Sequence, residues 1–100
     1  MLRLVALVTL VPDADVQEHV RLLREMAGNQ DEVLTAEVGV CRPPMRGVDA
    51  PASYVYTATF ADAESLQRYA TGRAHDELAA EMEHEVVRTV TATFEADART

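Results

Sequence analysis

Tryptophan is absent from this chain of 100 residues, and aromatic side chains make up only 5% of it. With so few large side chains, the core must be built from thin layers of Val, Leu and Ala. A domain of this size has no volume to spare for a large internal cavity. Cysteine is nearly absent too: Cys41 stands alone, which excludes an internal disulfide and a cysteine zinc cluster. It reads as a small, half-buried strand residue. Cations are scarce, nine against 17 acidic residues, for a formal net charge of −8. That balance argues against nucleic acid and against anionic membranes as partners, since both attract basic surfaces. No apolar run reaches the length of a membrane span. The opening "MLRLVALVTLVPDAD" is short, carries Arg3, and reads as a strand rather than a leader segment. A cytoplasmic location is the expectation. Phosphate-binding glycine loops, GxSxG and HExxH are all missing.

What is present is a regular alternation of elements in one domain spanning residues 1–100, without repeats or linkers. Leu2 to Val11 is apolar at both parities and ends at Pro12, which predicts a strand covered on both faces. Asp15 with Glu18 has capping-box spacing, and Val16, Val20, Leu23 and Ala27 follow at helical intervals up to Gly28-Asn29, where a C-terminal glycine is expected to close the helix. Val33 to Cys41 alternates and predicts a strand with one polar face. "RPPMRGVDAPA" is a loop. Ser53 to Phe60 is the third strand, with Tyr54, Tyr56, Ala58 and Phe60 on one face. Asp62 caps a helix carrying Leu66, Tyr69 and Ala70, which Gly72 interrupts. A further helix is expected from about Ala74 to Glu83, and Val86 to Phe94 is β-branched enough to be the fourth strand.

The order β-α-β-β-α-β, with the second helix broken, predicts an α+β ferredoxin-like fold: a four-stranded antiparallel sheet with helices on one face. The other face, carrying Val90, Ala92 and Phe94, would be apolar and bare. Such a face calls for association, and two sheets packed face to face would form a symmetric homodimer.

Chemistry-bearing residues concentrate around "YATGRAH". His75, Leu78, Ala79 and Met82 share one helical stripe, so His75 is expected to face the sheet. Tyr69 follows Leu66 by three residues and should face it too, with Gly72 allowing the turn between the two helical pieces. A phenol and an imidazole facing one cleft can move protons near neutral pH. On the sheet side, the cleft is expected to include Arg3, Val5 and Leu7 with Tyr54, Tyr56 and Ala58, and less firmly Thr89 and Thr91. A parity error of one residue would exchange such sets. Leu78 and Met82 complete the expected lining. Arg3 reads first as a salt-bridge partner and second as a carboxylate anchor. His19 reads as a surface residue. Glu77, Glu81 and His84 have a formally metal-like spacing but read as a solvated acidic face.

Taken with Arg3 near the start of the first strand and the closing "VVRTVTATFE", the stretch "SYVYTATFADAESLQRY" followed by "AH" resembles the stress-responsive A/B barrel family of the dimeric α+β barrel superfamily. Phe60, Asp62, Leu66, Tyr69 and His75 fit that family's pattern. Gly72 and Arg73 stand where the family has His-Pro, and Arg3 stands where it often has a histidine. The resemblance implies a homodimer with no metal and no bound cofactor. It also implies polyketide-cyclase chemistry, in which Tyr69 and His75 would assist an aldol-type ring closure of a small apolar or aromatic molecule. The competing expectations are a cofactor-free monooxygenase of the antibiotic-biosynthesis type and a non-catalytic, stress-associated ligand-binding dimer.

Overall fold

The structure, a computed structural model, describes residues 1–96. Its centre is β1 (Leu2–Leu10), which pairs antiparallel with β3 (Tyr54–Phe60) on one side and β4 (Val86–Glu95) on the other. The edge strand β2 (Thr35–Val40) pairs antiparallel with β3, so the sheet order is β2-β3-β1-β4. Among the described residues three α-helices complete the fold: α1 (Val16–Gly28), α2 (Ala63–Ala70) and α3 (Arg73–Met82). This is the expected ferredoxin-like α+β arrangement.

Register decides which residues the helices cover. Leu4, Ala6 and Val8 of β1 lie opposite Ala58, Tyr56 and Tyr54 of β3. This face holds the core, which also includes Leu10, Phe60 and, from the helices, Val20, Leu23, Tyr69, Leu78 and Met82. The other parity of β1 (Arg3, Val5, Leu7) pairs with Phe94, Ala92 and Val90 on the bare side of the sheet. Phe94 and Val90 are there 48% and 44% exposed, a large apolar area left facing solvent by one chain. The expectation that β1 is covered on both faces is therefore met within the chain on only one.

Local chemistry sets the helix limits. The Asp15 carboxylate accepts the Glu18 amide N–H and starts α1. The reciprocal half of a capping box is missing, because the Glu18 carboxylate is taken by Arg21. At the other end Gly28 stays within the helix, and the Asn29 amide donates back to the Met26 carbonyl. The helix thus closes at Gly28-Asn29 as expected, with Gly28 itself in the helix rather than in a positive-φ cap. Asp62 caps α2 by accepting the Ser65 N–H. Gly72 separates α2 from α3 at φ −74°, so its value here is space rather than a positive φ. A Cβ at this position would come within 3.1 Å of the Arg68 carbonyl oxygen and 3.3 Å of that of Tyr69.

α1 packs mainly on β2 and against α3, and α2 lies over β3. β4 pairs with β1 alone, and its helix-side residues Thr89, Thr91 and Thr93 stay exposed beside the helices. A bulge after Thr9 shifts the β1–β4 register, so that Leu10 lies opposite Val86 while Thr9 lies opposite Arg88. Val86 and Thr89 consequently face the same side despite opposite parity. A short 3₁₀ turn, Glu83–Glu85, leads into β4.

Candidate functional site

Because the helices crowd toward β2 and β3, a cleft of about 540 Å³ opens between them and the β1–β4 half of the sheet. That volume falls in the range of small-molecule sites, roughly 300–1,000 Å³. Its floor is Leu4, Ala6 and Val8 of β1; one flank is Tyr54 and Tyr56, the other Thr89, Thr91 and Thr93. Leu66, Tyr69, Ala70, His75, Ala79 and Met82 form the helical wall, and Gln67 and Glu83 add polar groups. It is an open cleft rather than an internal cavity, in keeping with the size of the chain.

The tyrosine and histidine that flank the helix break meet here. The rings of Tyr69 and His75 pack edge to face with centroids 5.2 Å apart. Phe60, fully buried, also packs against the Tyr69 ring, with centroids 5.1 Å apart. The Tyr69 and Tyr56 hydroxyls form a hydrogen bond of 2.9 Å in which either can donate. Burial raises the Tyr69 phenol far above its ordinary value, and its bond to Tyr56 raises it further. Tyr56 is also raised by burial, offset in part by that hydrogen bond. Burial alone pushes Tyr54 up to about 12. All three phenols are therefore protonated donors at neutral pH. The Nδ1 atom of His75 is buried without a hydrogen-bond partner among the described residues, and the nearest carboxylate oxygen, on Asp76, lies 4.0 Å away.

Of the site residues expected from the sequence, Tyr54, Tyr56, Tyr69, His75 and Met82 lie together on the cleft, as do Thr89 and Thr91. Arg3, Val5 and Leu7 do not. Their strand is paired with β3 so that Leu4, Ala6 and Val8 share the face of Tyr54 and Tyr56, which leaves Arg3, Val5 and Leu7 on the opposite, bare face. Arg3 has no carboxylate partner among the described residues; its guanidinium lies 6.0 Å from the Phe94 ring centroid. Leu78 is also misplaced: it is buried between α1 and α3, and Ala79, one residue on, takes the cleft position. His19, expected at the surface, is only 2% exposed. Its Nε2 lies 2.8 Å from a Glu85 carboxylate oxygen, and its ring packs against Tyr54 at 5.9 Å. The spacing of His19, Leu23 and Met26 carried that signal, since four and three residues apart is one helical stripe. Glu77, Glu81 and His84 do not converge; no group of three such side chains among the described residues is arranged to hold a metal ion. Among the described residues no helix is long and apolar enough to cross a membrane.

A four-stranded sheet with one bare face, helices on the other and a tyrosine-lined cleft between defines a ferredoxin-like protein of the α+β barrel type. The family profile for the Stress responsive A/B Barrel Domain matches residues 2–96, and the chain belongs to that family. Among solved structures it is similar to an Arabidopsis thaliana protein (TM-score 0.84, 12% identity, covering 98% of this chain and 97% of that one). It is similar also to the hydroxynitrile lyase of Passiflora edulis (TM-score 0.80, 12% identity, 97% and 94% covered). A third likeness is to a dimeric ferredoxin-like protein of Thermobifida fusca (TM-score 0.78, 14% identity, 95% and 90% covered). At these identities the likeness is one of fold. No curated protein sequence matches the chain at significant similarity.

Proposed function

We propose that this protein is a cofactor-independent enzyme of the cyclase or isomerase type, acting on a small, mostly apolar carbonyl compound of polyketide-like character. The observation that carries this reading is the contact of His75 with Tyr69 on the wall of the apolar cleft, with Tyr69 bonded in turn to Tyr56. In this reaction the His75 imidazole takes a proton from the carbon beside a carbonyl. The electron pair of that C–H bond moves onto the carbonyl oxygen as an enolate. The Tyr69–Tyr56 pair uses one phenol proton between its own oxygens and has the other free to donate to that developing charge. The enolate carbon then closes on a second carbonyl of the same molecule, and the new alkoxide recovers the proton from the imidazolium. An isomerase would return it to a different carbon instead.

The chain works in this reading as a homodimer in the cytoplasm. Support for the dimer comes from the bare face carrying Val90 and Phe94, and from the dimeric state of the Thermobifida fusca structure. One of the similar structures is a hydroxynitrile lyase, an enzyme, which keeps catalysis within reach of this fold. His75→Ala is expected to lower turnover of a linear poly-β-carbonyl thioester at least about 100-fold, the usual scale of a general base, with the circular dichroism spectrum unchanged. Full turnover in a folded His75→Ala variant would show the mechanism to be wrong.

A second reading, a ligand-binding dimer without chemistry, is favoured by the unpartnered Nδ1 of His75, because catalytic imidazoles are ordinarily oriented by a bonded group. Tight binding of the same thioester with no product would select it.

A further inference from the structure

The floor of the cleft is organised in rows that cross three strands. Val8 of β1 has Tyr54 on one side and Thr89 on the other; Ala6 likewise lies between Tyr56 and Thr91. The third row ends in Thr93, opposite Leu4. The middle strand is thus an apolar trough with phenols along one edge and threonine hydroxyls along the other. The threonines are separated by two strand residues, roughly 6.8 Å. Across the trough the flanking strands stand roughly 10 Å apart.

On its own, a run of threonines in a strand reflects β-propensity. The second observation is Tyr54. It is 1% exposed, lines the cleft, and, unlike Tyr56 and Tyr69, has no hydrogen-bonding partner among the described residues. Its hydroxyl is not among the buried unsatisfied atoms, so it reaches the open cleft, where water or an oxygen of a bound molecule can meet it. The cleft therefore offers oxygen-seeking groups on both edges of an apolar trough.

We propose that Thr89, Thr91 and Thr93 are the specificity edge of this site, and that its ligand is a flat, largely apolar molecule with two or more oxygens along one long edge at the threonine spacing. This rests on the cleft being the active site and adds to it the class of substrate: polyoxygenated on one edge, with Tyr54 meeting an oxygen on the other side. The threonine edge is distinct from the groups that would perform the chemistry, since His75 and Tyr69 belong to the helical wall. Replacing a threonine by valine keeps shape and strand propensity and removes only the hydroxyl.

The experiment compares two isomeric probes by titration calorimetry on the full chain. Naphthalene-2,7-diol carries both hydroxyls on one long edge, at close to the spacing of two strand residues. Naphthalene-2,6-diol has the same atoms and polarity with its hydroxyls on opposite edges. The expected result is that the first binds about tenfold more tightly, the scale of one or two net hydrogen bonds. In the Thr91→Val/Thr93→Val protein, with an unchanged circular dichroism spectrum, the preference disappears while the second diol binds as before. Equal affinities, a preference that survives the double substitution, or no binding of either diol would each overturn the proposal. Neither probe can react, so the outcome is independent of catalysis. A threonine-dependent preference without any turnover would leave this inference standing and remove the enzymatic reading; turnover without the preference would do the reverse.

Discussion

Removing the Tyr69 hydroxyl by Tyr69→Phe perturbs the centre of the site at one atom. Tyr69 and Tyr56 are 3% and 4% exposed and share a hydrogen bond of 2.9 Å. With phenylalanine at position 69, the Tyr56 hydroxyl loses its partner while its ring stays buried. Leaving a buried polar group unsatisfied costs about 1–3 kcal/mol, and the open side of the cleft admits water, which puts this case at the lower end, about 1–1.5 kcal/mol. For a chain of this length that corresponds to a fall in Tm of roughly 4–8 °C per kcal/mol. Tyr56→Phe should cost a similar amount for the same reason. The double variant should cost less than the sum, because no orphaned hydroxyl remains; the expected coupling is about 1 kcal/mol. Urea and thermal unfolding followed by circular dichroism, at one fixed protein concentration so that association does not confuse the comparison, measure all four corners of the cycle. Strict additivity, or single variants as stable as the parent, would refute the claim that the two buried phenols are each other's hydrogen-bond partners.

Alkaline titration tests the burial of the tyrosines as a group. The chain has three, Tyr54, Tyr56 and Tyr69, all on the cleft and all raised above the ordinary phenol value. A phenol whose folded value lies above its unfolded one stabilises the fold fully below pH ~10, and that contribution fades as pH climbs. For Tyr54 it is lost on passing about 12. Tyrosinate absorbance should therefore appear together with unfolding, and a folded-state titration near the ordinary phenol value would contradict the buried site. His19→Ala removes a buried ring and strands the Glu85 carboxylate, so it should cost about 2–4 kcal/mol in urea unfolding. Glu85→Gln, which keeps an acceptor for Nε2, should cost about 1 kcal/mol; a His19→Ala variant as stable as the parent would mean the ring is not packed as described. Phe94→Glu places a charge on the bare sheet face and should halve the mass seen by sedimentation. A parent chain already monomeric at micromolar concentration, or a variant still dimeric, would remove the case for face-to-face association.

Much of the site was legible because its signals are local. Helical spacing put Tyr69 and His75 inward, and the alternation of β3 put Tyr54 and Tyr56 on one face. Where prediction failed, the deciding information was non-local or was read from the wrong offset. β1 is apolar at both parities, so its own residues cannot say which set meets the helices; pairing Leu4 with Ala58 and Ala6 with Tyr56 does. The exchange of Leu78 for Ala79 comes from α3 packing against α1, a contact between helices far apart in the chain, as Leu22 and Leu78 in one groove illustrate. His19 was different, since its stripe with Leu23 and Met26 was in plain view; the polar neighbours Gln17 and Glu18 obscured it.

By itself, then, the amino-acid sequence determined the element order, the caps at Asp15 and Asp62, the break at Gly72 and the inward aim of Tyr69 and His75, because each depends on residues within a turn or two of one another. The tertiary structure alone decided that Leu4, Ala6 and Val8 rather than Arg3, Val5 and Leu7 floor the cleft, and that β4 turns its threonines into it. The reason is the two-residue period of a strand: sliding one strand past its neighbour by a single residue exchanges both faces at no cost to its own backbone, so only the pairing partners and the bulge at Thr9 can settle which face is which.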